Sequence, residues 1–318
     1  MSFLYLLEKI RNPVFDFFFS AVTHIGEETV FLVLALFFFW CVGKREGYFM
    51  LICGLVGTVI NQAAKLIFKI PRPWVKDPNF TIVESARAEA TGYSFPSGHT
   101  QNVTGTFGSI ARTSKRRPVQ IISIVIIVLV AFSRMYLGVH TPLDVGVSLA
   151  VGTLLVLLLY PIFKTEDNFR KFMPYVVVGS CILSVALTLF VFLMPSEGVD
   201  PYNLASGMKN SAALLGCTAG LIGVYIIDSK WINFDTKAAW YAQIIKFVLG
   251  LLGVLAIKAG LSTPLKMLFG NEYVARGVRY FLIVMFAGAL WPLTFKKFSN
   301  LKIEKLDNLF KKKKSRIN

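Results

Sequence analysis

Two of the three histidines in this 318-residue chain lie in short segments that also carry arginine, serine and aspartate. His140 and Asp144 are four residues apart in the run Ser133-Arg134 through His140-Thr141-Pro142-Leu143-Asp144. Thr141-Pro142 predicts a helix N-cap followed by proline at the first helical position, which puts Asp144 in the first turn, within reach of His140. A carboxylate on one imidazole nitrogen fixes the tautomer and leaves the other nitrogen free to act as a nucleophile. His99, at the end of Pro96-Ser97-Gly98-His99, falls in the first turn of another helix, where it could protonate a leaving oxygen.

Three cations accompany these groups. Lys65, Arg72 and Arg134 stand at the ends of apolar helices, where a charge is costly unless it meets an anion or water. The planar forks of the two arginines match phosphate oxygens, and all three cations could stabilise the equatorial oxygens of a transferring phosphoryl group. Ser97 is a natural N-cap. The free backbone N–H groups behind it, with the positive end of the helix dipole, form an anion site, and Gly98 lets the backbone approach a ligand closely. Each segment alone is commonplace; their conjunction is not, because the apolar pattern places all three at one membrane face.

The elements that must position these residues are membrane helices. The chain is 55% hydrophobic and only 16% charged, against about 45–50% and about 25% in soluble domains. Its apolar residues cluster in runs such as Val30–Val42, Val119–Phe132, Val145–Phe163 and Val176–Met194, near the roughly 17–25 residues needed to cross a bilayer. The expected fold is an all-α, polytopic membrane helical bundle. About nine spans are expected, at 29–43, 47–68, 97–112, 119–138, 142–163, 174–194, 209–227, 242–262 and 278–295. Residues 1–26 suit interfacial helices. The 97–112 segment, rich in Ser, Thr, Gly and Asn, belongs inside the bundle. Cys41, Cys53, Cys181 and Cys217 lie in apolar runs without metal-ligand spacing and are expected to be free. Glu8, Lys9 and Arg11 interrupt the first apolar stretch, so no cleavable signal peptide is expected.

The net charge of +16 could suggest nucleic acid as a partner. Its placement argues otherwise, because Lys311–Lys314 and Arg316 follow a span directly, as a cytoplasmic anchor does. Alternating the spans puts Lys44, Arg45, Arg112, Lys115–Arg117, Lys164, Arg170 and Lys171 on that same side. By the positive-inside rule it is cytoplasmic, and the N-terminus and the long 69–96 loop face outward with the reactive segments. The hydrophilic stretch 164–173 divides a chemically rich region, 1–165, from a second bundle of about four spans, 166–318. The second bundle has no histidine but carries packing glycines such as Gly216 and Gly220.

Taken together, the three segments resemble the type 2 phosphatidic acid phosphatase superfamily, whose pattern is K-x6-RP, then PSGH, then SR-x5-H-x3-D. Lys65…Arg72-Pro73, Pro96-Ser97-Gly98-His99 and Ser133-Arg134…His140…Asp144 fill every position of it, and the likeness covers roughly residues 27–165. It implies a lipid phosphate or diphosphate phosphatase with His140 as nucleophile, Asp144 as its orienting partner and His99 as general acid. Lys65, Arg72, Ser97, Gly98 and Arg134 would hold the phosphate, with no metal and no cofactor. A phosphotransferase using the same phosphohistidine, or a lipid transporter or scramblase carrying a secondary site, are the alternatives. Two departures stand out. Residues 74–95 form an extended loop with Trp74, Lys76, Glu84, Arg87 and Glu89, read either as a head-group selector or lid or as a solvated interfacial loop. The additional C-terminal spans are similar in layout to those of sphingosine-phosphate phosphatases. A bacterial plasma membrane is the expected location, with the bilayer and a lipid phosphate as partners.

Overall fold

A computed structural model describes residues 1–301 of the chain; the expected basic anchor at 311–316 lies outside them. The described residues are mostly helical, without a strand. Two short helices, α1 (Ser2–Lys9) and α2 (Pro13–Thr23), precede α3 (Glu28–Phe37) and α4 (Lys44–Phe68). After the one-turn α5 (Pro73–Lys76) and an irregular loop come α6 (Gly98–Thr113), α7 (Arg117–Tyr136) and α8 (Pro142–Lys164). The rest of the bundle is α9 (Glu166–Leu193), α10 (Pro201–Ile227), α11 (Trp240–Gly260), α12 (Ser262–Phe269), α13 (Glu272–Met285) and the short α14 (Phe295–Ser299).

Seven of these helical segments are long and apolar enough to cross a membrane, and the chain is an integral membrane protein. The expected count of nine is revised for two physical reasons. The 97–112 segment is α6, only 16 residues long and poor in apolar side chains; it packs against α4, α7 and α8 inside the bundle. The 29–43 segment is α3 continued by a π-helical turn over Phe38–Val42. It forms the second arm of a pair bent by 50° against Pro13–Gly26, an eighth span if the pair is counted as one. α2 leaves Phe17 78% and Val14 73% exposed, as a helix resting in lipid would.

The stretch 164–173, expected as a hydrophilic divider, is almost wholly helical. Thr165 alone breaks the chain; its hydroxyl caps α9 by accepting from the Asn168 N–H, and Glu166 pairs with Arg170 one turn on. The two parts of the chain share one core. Trp40, fully buried, donates its indole N–H to the Ala287 carbonyl at 2.8 Å, and Lys44 reaches Asp228 at 2.8 Å. α10 lies along α13 at a small-residue crossing, where a methyl group on Gly216 would stand 2.0 Å from the Gly277 carbonyl oxygen. Only glycine allows that approach.

Candidate active site

The three polar segments meet where α4 and α7 end and α6 and α8 begin, around a cavity of about 420 Å³. Lys65, Arg72, Gly98, His99, Arg134 and His140 line it. Ser97 and Asp144 stand behind the wall, 0% and 1% exposed.

Local structure puts each group there. α7 ends after Tyr136, and Gly138 turns the chain with φ +80°, a conformation that side chains resist. The His140 and Val139 N–H groups both donate to the Arg134 carbonyl, so the turn holds the imidazole and the guanidinium together. Thr141 then caps α8 in a full capping box: its hydroxyl accepts from the Asp144 N–H, and Asp144 Oδ2 accepts from the Thr141 N–H at 2.7 Å. Ser97 caps α6, accepting from the Thr100 N–H and hydroxyl, while its own N–H donates to the Asp144 carbonyl. Its hydroxyl therefore serves the cap, and it is Gly98 and His99, the first residues of α6, that line the cavity.

His140 is 1% exposed, with Asp144 Oδ2 3.5 Å from its Nδ1. Ser94, fully buried, donates to the same Asp144 oxygen at 2.6 Å and stands 3.5 Å from Nδ1. On the other side of the ring, Arg72 Nη1 is 2.8 Å from Nε2. A guanidinium can only donate, so Nε2 carries the lone pair and the proton sits on Nδ1, toward the carboxylate. Burial, and then the Arg72, Arg134 and Lys65 charges, push the His140 imidazole well below its usual range, so the ring is neutral near pH 7.

The cations are held by backbone and hydroxyl oxygens. Arg72 donates to the Gly92, Val139 and Thr91 carbonyls at 3.0, 2.9 and 2.8 Å. Lys65 Nζ donates to the Tyr93 carbonyl at 2.5 Å. Arg134, 0% exposed, donates to Thr23 at 2.6 Å from one end of its fork, while its Nε has no hydrogen-bond partner among the described residues. His99 Nε2 lies 3.4 Å from Glu89 Oε2. That neighbour holds the Glu89 carboxyl down at about 2, against the opposing effect of partial burial.

Comparison with known proteins agrees with this geometry. The PAP2 superfamily model matches residues 45–167, and the model described as "PAP2 superfamily phosphatase, transmembrane extension" matches residues 208–304. Undecaprenyl-diphosphatase BcrC of Bacillus subtilis is 32% identical over 172 residues, covering 52% of this chain and 83% of the relative. The chain belongs to the PAP2 superfamily. Phosphatidylglycerophosphatase B of Bacillus subtilis is 29% identical over 174 residues, covering 51% of this chain and 82% of that one. Sphingosine-1-phosphate phosphatase 1 of Rattus norvegicus is 26% identical over 275 residues, 79% of this chain. The chain spans only 61% of that relative's length. No solved structure gives a significant match.

Within the PAP2 region, the structure adds residues that spacing alone did not single out. Ser94 sits two residues before Pro96, and only the folding of the loop, with the Ser94 N–H donating to the Ile70 carbonyl, brings its hydroxyl to Asp144. Glu89 belongs to the 74–95 loop and leans over the cavity beside His99, with His24 Nδ1 3.3 Å from its other oxygen. Trp74 is half-buried between the Arg72 and Arg87 guanidinium groups, its ring centre 5.9 and 5.6 Å from them, and so braces this loop. The PAP2 extension contributes too. Asn203 on α10 accepts from the Tyr93 N–H at 2.9 Å, and Asn203, Ser206 and Asn210 line the cavity.

Proposed function

We propose that this PAP2 protein hydrolyses a lipid phosphate or diphosphate through a phosphohistidine on His140. The neutral, buried His140 carries the reading. Its Nε2 lone pair faces the cationic cavity while Asp144 and Ser94 hold the Nδ1 side.

Nε2 attacks phosphorus in line with the leaving oxygen. The phosphorus–oxygen bond to the lipid (or to its terminal phosphate) breaks, and the departing oxygen takes a proton from His99. The positive charge growing on the His140 ring is met by Asp144. Burial and the Arg134 charge hold His99 at about 4 before substrate binds, so the substrate's phosphate charge must bring in the proton it donates. Water, deprotonated by the neutral His99 left behind, then attacks the phosphohistidine, releasing inorganic phosphate and restoring the imidazole. Lys65, Arg72, Arg134 and the N–H groups at the start of α6 neutralise the charge spread over the three equatorial oxygens. Arg72 leaves His140 for the phosphate when substrate enters, keeping its carbonyl anchors. Four positive elements around one phosphoryl group supply the charge that a metal supplies elsewhere, so turnover is expected to be unaffected by chelators.

The positive-inside bias supports an extracytoplasmic site for this chemistry, with the C-terminus in the cytoplasm. The relatives support the reaction class: those named above carry the names of phosphatases acting on sphingosine 1-phosphate, undecaprenyl diphosphate and phosphatidylglycerol phosphate.

Purified protein should release phosphate from such lipids in EDTA, be blocked by vanadate, and accumulate a base-stable, acid-labile label on His140 during turnover of radiolabelled substrate. Release that requires a divalent metal, or turnover retained in His140→Ala, would overturn the reading. A cysteine placed at Asn79 should react with a membrane-impermeant thiol reagent applied outside intact cells; reaction only after lysis would reverse the orientation.

A further inference from the structure

We infer that a second cavity, walled in equal part by α3, α4 and α6 and by the C-terminal helices, is a binding site for one long alkyl or acyl chain of the lipid whose phosphate occupies the first. The inference rests on the proposed phosphatase reading for its head-group end, and on the cavity itself for the rest.

The cavity encloses about 300 Å³ between α3, α4, α6, α10, α11 and α13. It is continuous with the phosphate cavity, since Gln62, Lys65, Gly98, Asn102 and Asn210 line both. Along α4 its wall runs from Lys65 inward to Leu51, fourteen residues and therefore about 21 Å of helix, long enough for an extended lipid chain.

Polarity along the wall decides what fits. On α4 the cavity-facing stripe reads Lys65, Gln62, Thr58, Leu55, Leu51 from the outer end inward, one helical face passing from cation to amide to hydroxyl to hydrocarbon. α10 repeats the order from Asn210 through Leu214 to Val224, and α13 with the π-helical turn after it does so from Arg276 through Tyr280 to Ala287. α11 runs the opposite way and keeps the order in space, from Lys258 at its outer end to Leu251 further in. Four helices contributing the same gradient match an amphiphile seated head outward and tail inward. A water-filled channel would need polar groups along its whole length, and closely packed helices would leave no such void.

Selection of the lipid tail is thereby shared between α3, α4 and α6 and the C-terminal helices, the latter carrying none of the reactive residues.

The test has two arms. In the first, Val254→Trp fills the inner part of the cavity, remote from the reactive groups. The ratio of kcat/KM for hexadecyl phosphate over butyl phosphate should fall about tenfold; a ratio equal to that of the wild type would overturn the inference. In the second, hexadecylphosphonate carrying a diazirine near its chain end is photolysed with the wild-type protein, and adducts are mapped by mass spectrometry. Adducts within 251–255 or 283–288 are expected. Labelling confined to the lipid-facing surfaces of α7 and α9, or its absence, would overturn the inference. The second arm needs no turnover, so a failure of the phosphatase reading shows as absent phosphate release in the first arm with the adduct pattern still decisive.

Discussion

The two cavities are built on opposite plans. Around the phosphate cavity Arg72 is committed to three carbonyls and an imidazole and Asp144 Oδ2 to the Thr141 N–H and the Ser94 hydroxyl, although Arg134 Nε is left without a partner among the described residues. The deeper cavity carries charged and amide side chains such as Lys65, Gln62 and Asn210 at the end it shares with the first and is walled further in mainly by leucine, valine, phenylalanine and alanine. A mesh of hydrogen bonds fixes reacting groups to within a few tenths of an ångström, as electrostatic stabilisation of a transition state demands. Hydrocarbon walls discriminate weakly and tolerate repacking. On the proposed reading, chemistry is specified tightly in the first cavity and choice of lipid loosely in the second.

If that division holds, substitutions in the mesh reduce turnover for every substrate alike. His140→Ala should have the largest effect, lowering phosphate release by at least about 10⁴-fold for long- and short-chain substrates together. Preferential loss for one chain length would break the division at once. Asp144→Asn comes next. It keeps the size of the side chain but takes the negative charge from the imidazolium formed on attack, and a loss on the order of 10³-fold in kcat is expected, with KM little changed.

A pH profile sharpens the point. His140 must be neutral to attack, and its pKa is depressed by burial and by the Arg72, Arg134 and Lys65 charges. The neutral form therefore persists below the ordinary value of 6.5, and activity is lost only as pH falls through the depressed pKa. The acid limb of kcat/KM should lie below pH 6.5, and Arg72→Gln, besides slowing turnover, should move it upward. A limb at or above 6.5 in the wild type would show that the cavity is not the cationic enclosure described. Ser94→Ala should cost less, about tenfold in kcat, because Asp144 keeps the Thr141 N–H when the Ser94 hydroxyl is gone.

How much of this was legible in the sequence follows from the range of the interactions. Local signals carried through. Thr141-Pro142 does cap α8 and aim Asp144 at His140, Ser97 does cap α6, and Gly216 does mark a close helix crossing. The membrane-spanning count was less legible, because hydropathy registers how apolar a segment is and not whether protein or lipid surrounds it. α6 is enclosed by α4, α7 and α8, so its 16 residues can be polar and short. Ser94 and Glu89 left no trace in spacing, since an irregular loop has no period, and its residues acquire neighbours only when the loop folds over the helix ends. The charges at 164–173 suggested a divider; a threonine cap and one Glu166–Arg170 pair suffice to make them the first turns of α9.

The smallest expected effect falls where the two plans meet. Asn203, at the outer end of α10, accepts from the Tyr93 N–H at 2.9 Å, and the Tyr93 carbonyl in turn accepts from Lys65. One amide thus links the C-terminal helices to a cation of the phosphate cavity without touching a reacting atom. Asn203→Ala removes a single partly exposed hydrogen bond, worth about 1 kcal/mol, and should slow turnover only severalfold. Because Lys65 lines both cavities, loosening its anchor should raise KM for long-chain substrates more than for butyl phosphate, measured side by side. An equal rise for both would show that α10 serves the phosphate cavity alone, and the coupling between chemistry and tail would then have to run through Gln62 and Asn210.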